Sequence, residues 1–208
     1  HVMNLRPKKN GGGTGLWFHH SLKHYSCPEL EAIRPLKFFE MTQQIIDLDN
    51  YRIIVLSLYR PPEKSILHSL SELETILKTC ENLNLQVYIC GDMNINILKN
   101  INSVVQYQNV LQSHHYLQLV NAPTRFTGKS CSLIDHVLTN SKVKAKAYVV
   151  NATIADHLPT LTVNITKKTH KNKIDDSDKK RKNLKMDLFL SKLKGVHWES
   201  WMDKRVNY

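Results

Sequence analysis

Three pairs of polar side chains in this sequence have the types that phosphate-ester hydrolysis uses: Asp92 with Asn94, Asp135 with His136, and Asp156 with His157. Each falls at the end of a short run that reads as a strand, and strand ends are where layered α/β folds collect working side chains. A hard divalent cation such as Mg²⁺ takes oxygen ligands, binding through one or two carboxylates plus substrate phosphate oxygens. Beside it, a carboxylate can orient or deprotonate the attacking water, while an imidazole stabilises or protonates the developing charge. Asn94 could hold a water or a phosphate oxygen, and Tyr59, just before Arg60-Pro61-Pro62, could donate to a phosphate. Taken singly, each pair is weak, since an Asp after a strand is more often a turn former or helix cap, and Tyr59 is equally a core or rim aromatic.

Other chemistries find less support. The glycine-rich stretch Asn10-Gly-Gly-Gly-Thr-Gly15 lacks the Lys-Ser/Thr ending of a phosphate-cradling loop and reads as a turn entering a strand. Neighbouring histidines on a strand point to opposite faces, so His19-His20 and His114-His115 are not natural metal pairs. The chain contains no H-E-x-x-H and no G-x-S-x-G, which removes the zinc-protease and serine-hydrolase signatures. The four cysteines are scattered, with no C-x-x-C, and are expected to be inert thiols in a reducing compartment.

The elements that must position these residues can be read from hydrophobic period. Runs at 38–46 and 52–59, joined by the polar 47–50, predict an antiparallel strand pair that ends at Pro61-Pro62. Ile66, Leu67, Leu70, Leu73, Ile76 and Leu77 recur at spacings of three and four, which predicts an amphipathic helix ending near Asn82. Val87 to Cys90 then reads as a buried strand stopped by Gly91. A second helix is predicted over about 104–114, with further strands at 117–120, 133–138, 147–150 and 161–165. This mixture predicts an α/β or α+β layered fold.

The net charge of +11 is uneven along the 208 residues. Residues 1–166 hold 16 basic and 12 acidic side chains, whereas residues 167–208 hold 13 and 6. A basic excess favours anionic partners such as nucleic acid. Residues 167–185 are basic, polar and poor in apolar side chains, as in a linker, and residues 186–208 predict one more helical segment. No apolar run approaches the roughly 18–20 residues of a membrane-spanning helix, and no signal peptide is visible.

Four segments taken in order are specific. Leu58-Tyr-Arg-Pro-Pro62, Ile89-Cys-Gly-Asp-Met-Asn94, Ser132-Leu-Ile-Asp-His136 and Ile154-Ala-Asp-His-Leu-Pro159 resemble the endonuclease/exonuclease/phosphatase superfamily. More narrowly, they resemble the apurinic-type endonuclease domain of non-LTR (LINE-type) retrotransposon polyproteins. Gly11-Gly-Gly13 and Pro123-Thr-Arg125 look like further landmarks of that group, and the resemblance covers about residues 10–165.

The resemblance implies a four-layered sandwich, two mixed β-sheets flanked by helices, within a domain spanning residues 1–166. It implies an endonuclease dependent on Mg²⁺ or Mn²⁺ that nicks target DNA for primed reverse transcription. By position, Asp92 would orient or activate the water, Asn94 would steady the phosphate or that water, and Tyr59 would contact the scissile phosphate. Asp156 would bind metal or orient His157, His157 would stabilise the transition state, and Asp135 would orient His157. Arg60, Thr124, Arg125 and Ser132 would contact the DNA backbone. Residues 167–208 would lead toward a reverse transcriptase in the same polyprotein, and the implied location is intracellular, nuclear for a working endonuclease.

Two departures qualify the expectation. Ala155 stands where the family has Ser, at a cost of about 1 kcal/mol for one lost hydrogen bond. The family's first Asn and its metal-binding Glu lie upstream of the glycine turn, whereas the first Glu here, Glu29, follows it. The sequence therefore predicts a chain incomplete at its N-terminus, short of a strand or two and of one metal ligand, with weak or absent nuclease activity on its own. The competing readings are an inactive nucleic-acid-binding remnant and another phosphoesterase of the same superfamily.

Overall fold

The computed structural model describes residues 1–4, 12–49, 51–141, 144–152 and 156–164. In chain order its elements are β1 (Val2–Asn4), β2 (Thr14–Leu16), β3 (Lys23–Tyr25), α1 (Pro28–Ala32), β4 (Glu40–Leu48) and β5 (Tyr51–Tyr59). Then follow α2 (Ile66–Asn82), β6 (Gln86–Asp92), α3 (Asn102–Ser113), β7 (Leu117–Gln118), β8 (Arg125–Thr127), β9 (Ser130–Ser132), β10 (Asp135–Thr139), β11 (Ala145–Val149) and β12 (Thr160–Asn164). The basic segment 167–185 and the apolar segment 186–208 lie outside the described residues.

Six strands form one mixed sheet in the order β3-β4-β5-β6-β10-β7. Its only parallel pair is β5 with β6, and such a pair needs a crossover connection, which α2 supplies. Ser65 starts α2 as an N-cap, its hydroxyl accepting from the His68 N–H.

Strand alternation divides the sheet into two faces. Met41 and Ile45 of β4, Ile54, Leu56 and Leu58 of β5, Val87 and Ile89 of β6, and Leu138 of β10 share one face by register. All are buried, in one cluster with Leu73, Ile76 and Leu77 of α2, Val104 and Tyr107 of α3, and Leu30 of α1. The helical period predicted from the sequence is thus the face that covers the sheet.

The opposite face carries Thr42 and Gln44 of β4, Ser57 of β5, Tyr88 and Cys90 of β6, and Val137 of β10. The β1–β2 pair sits here, with the Thr14 and Thr42 hydroxyls 2.7 Å apart. The β11–β12 pair covers the other end, Ala147 and Val149 packing on Val120, Leu133 and Val137. Among the described residues, the second sheet that the resemblance implies is therefore present as the separate pairs β1–β2 and β11–β12, with β8–β9 a third two-stranded pair. No described helix is long and apolar enough to cross a membrane. Cys27 and Cys80 are buried, Cys90 is half-buried and Cys131 is exposed, all as free thiols; burial pushes the Cys80 thiol up to about 12.

Candidate active site at the strand ends

The face away from the helices gathers the expected residues at one edge of the sheet. In the antiparallel pair β6–β10, Asp92 lies directly opposite Asp135, and each is two residues beyond the neighbouring pair Cys90 and Val137 on that face. Tyr59 is two residues beyond Ser57, which pairs with Cys90, so it lies beside Asp92; the Arg60 N–H continues the ladder to the Asp92 carbonyl at 3.0 Å. Three strand ends therefore present Tyr59, Asp92 and Asp135 in a row.

After Asp92 the chain leaves the sheet through a tight turn. The Asn94 N–H donates to Asp92 Oδ1 at 2.9 Å, and Asn94 Nδ2 donates to Asp92 Oδ2 at 3.1 Å and to the Arg60 carbonyl at 2.9 Å. Asn94 itself has φ 48°, in the left-handed region that Asn tolerates better than most residues. Both amide donors are thus engaged within the chain. Of the two partners expected for Asn94, the phosphate or the water, this favours the water, since among the described residues its Oδ1 is left to accept.

His157 arrives from a distant segment. It forms an isolated antiparallel bridge with Arg125, flanked by Phe126 N–H to the Asp156 carbonyl at 2.9 Å and Leu158 N–H to the Thr124 carbonyl at 2.6 Å. Its Nδ1 meets the Asp135 carboxylate at 2.9 and 3.1 Å. Among the described residues no hydrogen-bond partner meets Nε2. Ligand atoms of Asp92, Asp135 and His157 all lie within 4.8 Å of one another.

Like charges directly opposed across a ladder repel. Burial raises the Asp92 pKa, and the Asp135 charge adds to this, while the Asn94 N–H, His157 and Arg125 pull it back down. A cation between the carboxylates would relieve the repulsion. Two hard oxygen donors suit Mg²⁺ or Mn²⁺, and imidazole is a poorer Mg²⁺ ligand, in keeping with the engagement of His157 by Asp135.

Three expected contacts are placed differently. Asp156, expected as the metal ligand, stands outside this cluster and accepts from Arg125 Nε at 2.7 Å, which holds its carboxyl below the usual range. Arg125, expected on DNA, is partly exposed and carries this ion pair. Thr124 is 0% exposed, and its hydroxyl accepts from the Ile134 and Asp135 N–H groups, fixing the start of β10 instead of meeting DNA. Arg60 is 1% exposed and donates to backbone carbonyls, so it too is removed from the DNA-contact set. Ser132 is half-buried opposite Arg125 in the β8–β9 hairpin. That hairpin was not read from the sequence, although Gly128-Lys129 between short extended runs was a usable turn signal. It carries Phe126, 48% exposed, whose aromatic face is suited to stacking on a base.

His136, adjacent to Asp135, points the other way. It is 1% exposed; its Nε2 lies 3.1 Å from the Ile95 carbonyl and so carries the proton, and its Nδ1 accepts from the Tyr107 hydroxyl at 2.8 Å. It is a structural link between β10 and α3. Burial pushes its pKa down to about 4, below the 6.5 of the unfolded chain. Between those values the unfolded chain binds the extra proton, so stability is complete above pH 6.5 and falls as pH drops, by about 3 kcal/mol from this group once pH is below 4. Urea unfolding across pH 4–7 is expected to show a shallower loss in His136→Gln than in the parent; equal slopes would remove the assignment.

The profile of the family described as endonuclease-reverse transcriptase matches residues 53–161, over half of the chain, and the chain belongs to that family. No curated protein sequence matches it. Among solved structures it is similar to the endonuclease domain of TRAS1, a telomere-specific non-LTR retrotransposon, with a TM-score of 0.58 and 18% identity over 73% of this chain and 72% of that one. An endonuclease/exonuclease/phosphatase family protein from Bacteroides thetaiotaomicron aligns with a TM-score of 0.49 and 14% identity, over 65% and 57% of the two chains. The catalytic domain of APE2 from Xenopus laevis aligns at 0.44 and 17%, over 68% and 61%. At such identities the likeness to TRAS1 establishes the fold.

Proposed function

We propose that this chain is the endonuclease domain of a non-LTR retrotransposon polyprotein, a divalent-metal-dependent phosphodiester hydrolase that nicks target DNA and leaves a 3′-hydroxyl for primed reverse transcription. The observation that carries the reading is the opposed pair Asp92 and Asp135 with His157 held at the second carboxylate. Asp92 and Asp135 would hold the cation, which when bound would polarise the phosphoryl group and neutralise charge. Asp92, fixed by two donors from Asn94, orients the attacking water and takes its proton. His157, aligned through Nδ1, offers Nε2 to a phosphoryl oxygen as charge develops there. Tyr59 lies beside this row and donates to the phosphate.

The substrate class is supported by the family, by the basic balance of the chain and by Arg125, which bridges to His157 from the β8–β9 hairpin that also carries Phe126 and Lys129. A reverse transcriptase in the same polyprotein would extend the product, in the nucleus where the target lies.

The test is incubation of the natural-length protein with supercoiled plasmid in Mg²⁺ and in Mn²⁺. Open circles that a DNA polymerase extends without phosphatase treatment are expected, and chelation is expected to abolish them. No nicking in either metal, or ends that need phosphatase before extension, would overturn the reading.

A further inference from the structure

Arg60 occupies an unusual place for an arginine beside a phosphodiesterase site. Its guanidinium makes Nε to Met93 carbonyl at 2.7 Å, Nη2 to Asn94 carbonyl at 2.7 Å, Nη1 to Pro61 carbonyl at 3.3 Å, and a further bond from Nη1 to the Lys64 carbonyl. Its main chain adds the N–H to the Asp92 carbonyl and a carbonyl that accepts from Asn94 Nδ2. One residue thus ties the 92–94 turn to the 61–64 turn by both its side chain and its backbone. Among the described residues, no carboxylate hydrogen-bonds to this buried charge.

Burying a guanidinium carries a large desolvation penalty, and an apolar side chain would fill the same space without it. What an apolar side chain cannot do is bind four carbonyls that converge from two loops. Two of those carbonyls belong to Met93 and Asn94, the residues that follow Asp92. Arginine's planar fork matches such a convergent set, whereas the point charge of lysine does not.

We propose that Arg60 is a positioning residue: it holds the Asp92–Asn94 turn in the conformation that places both Asn94 donors on the Asp92 carboxylate. This rests on the reading of Asp92 as the group that handles the water. Small displacements of such a group cost up to about 10²-fold in rate, so Arg60 acts on turnover, not on DNA affinity, which its burial denies it.

The test compares the parent with Arg60→Lys in nicking kinetics and in exchange of the Asn94 side-chain amide protons, read by NMR. The expected result is a fall in kcat of about 10- to 100-fold with KM little changed, together with faster Asn94 exchange. Unchanged kcat, or a loss confined to KM, overturns the proposal. If the parent itself does not nick, the assignment of Asp92 falls, and Asn94 exchange alone decides the clamp: faster in the variant upholds it, unchanged removes it. Should Arg60→Lys not fold, the parent decides, since a slowly exchanging Arg60 Nε–H supports the clamp and a rapidly exchanging one overturns it.

Discussion

Asp92→Asn is expected to slow plasmid nicking by about 10³-fold while leaving the protein folded. On the proposed reading, the substitution keeps shape and removes two things together, a hard anionic ligand and the acceptor for the proton of the water. Removing a positioned acid or base alone costs about 10²–10⁴-fold. Stability is expected to change by less than about 1 kcal/mol, because the lost charge-assisted bond from Asn94 Nδ2 is offset by relief of the cross-strand repulsion with Asp135. Single-turnover nicking and thermal unfolding of the same preparation measure both quantities. A variant that retains activity within about tenfold removes Asp92 from the chemistry.

Gly91→Ala is expected to act in the opposite manner, through the fold. Gly91 has φ 153°, a conformation that side chains rarely adopt, and a Cβ there would stand 1.8 Å from the Leu58 carbonyl oxygen. That oxygen is main chain of β5, so no rotamer change makes room. The two strands must separate where Tyr59 and Asp92 lie side by side. A loss of more than about 4 kcal/mol is expected, with poor soluble yield and no nicking. Urea unfolding that places the variant within about 1 kcal/mol of the parent would contradict the close approach of the two backbones.

These residues also mark how far the sequence could be read. The apolar runs of β4, β5 and β6, bounded by Pro61-Pro62 and Gly91, and the helical period of α2 and α3 are legible because each is a local pattern, and the ends differ by only a few residues. The Gly91 to Asn94 and Leu58 to Pro62 segments pointed to the right strand ends. The pairing of β6 with β10 was not legible, since a ladder between segments about forty residues apart leaves no mark on either alone. Only that pairing sets Asp135 against Asp92 and turns His136 into the core. Arg60 and Thr124 were misassigned for a different reason: composition places polar side chains outside, and what drew these inward was a set of backbone carbonyls and N–H groups that only the assembled loops bring together. The resemblance implies that Asp156 binds metal or orients His157, but neighbours on an extended segment diverge, and Arg125 pairs with Asp156 instead.

The wide separation of the site's members in the chain has a kinetic meaning. His157 follows Asp92 by 65 residues, and the contact that aligns it is made to a strand that must first dock beside β6. Such long-range closures come late in folding. On a ribosome adding about 5–20 residues per second, Asp92 would emerge roughly 3–13 s before its histidine. On the proposed reading, the nascent chain would be chemically silent over that interval, and its first competence to cut would coincide with the docking of His157.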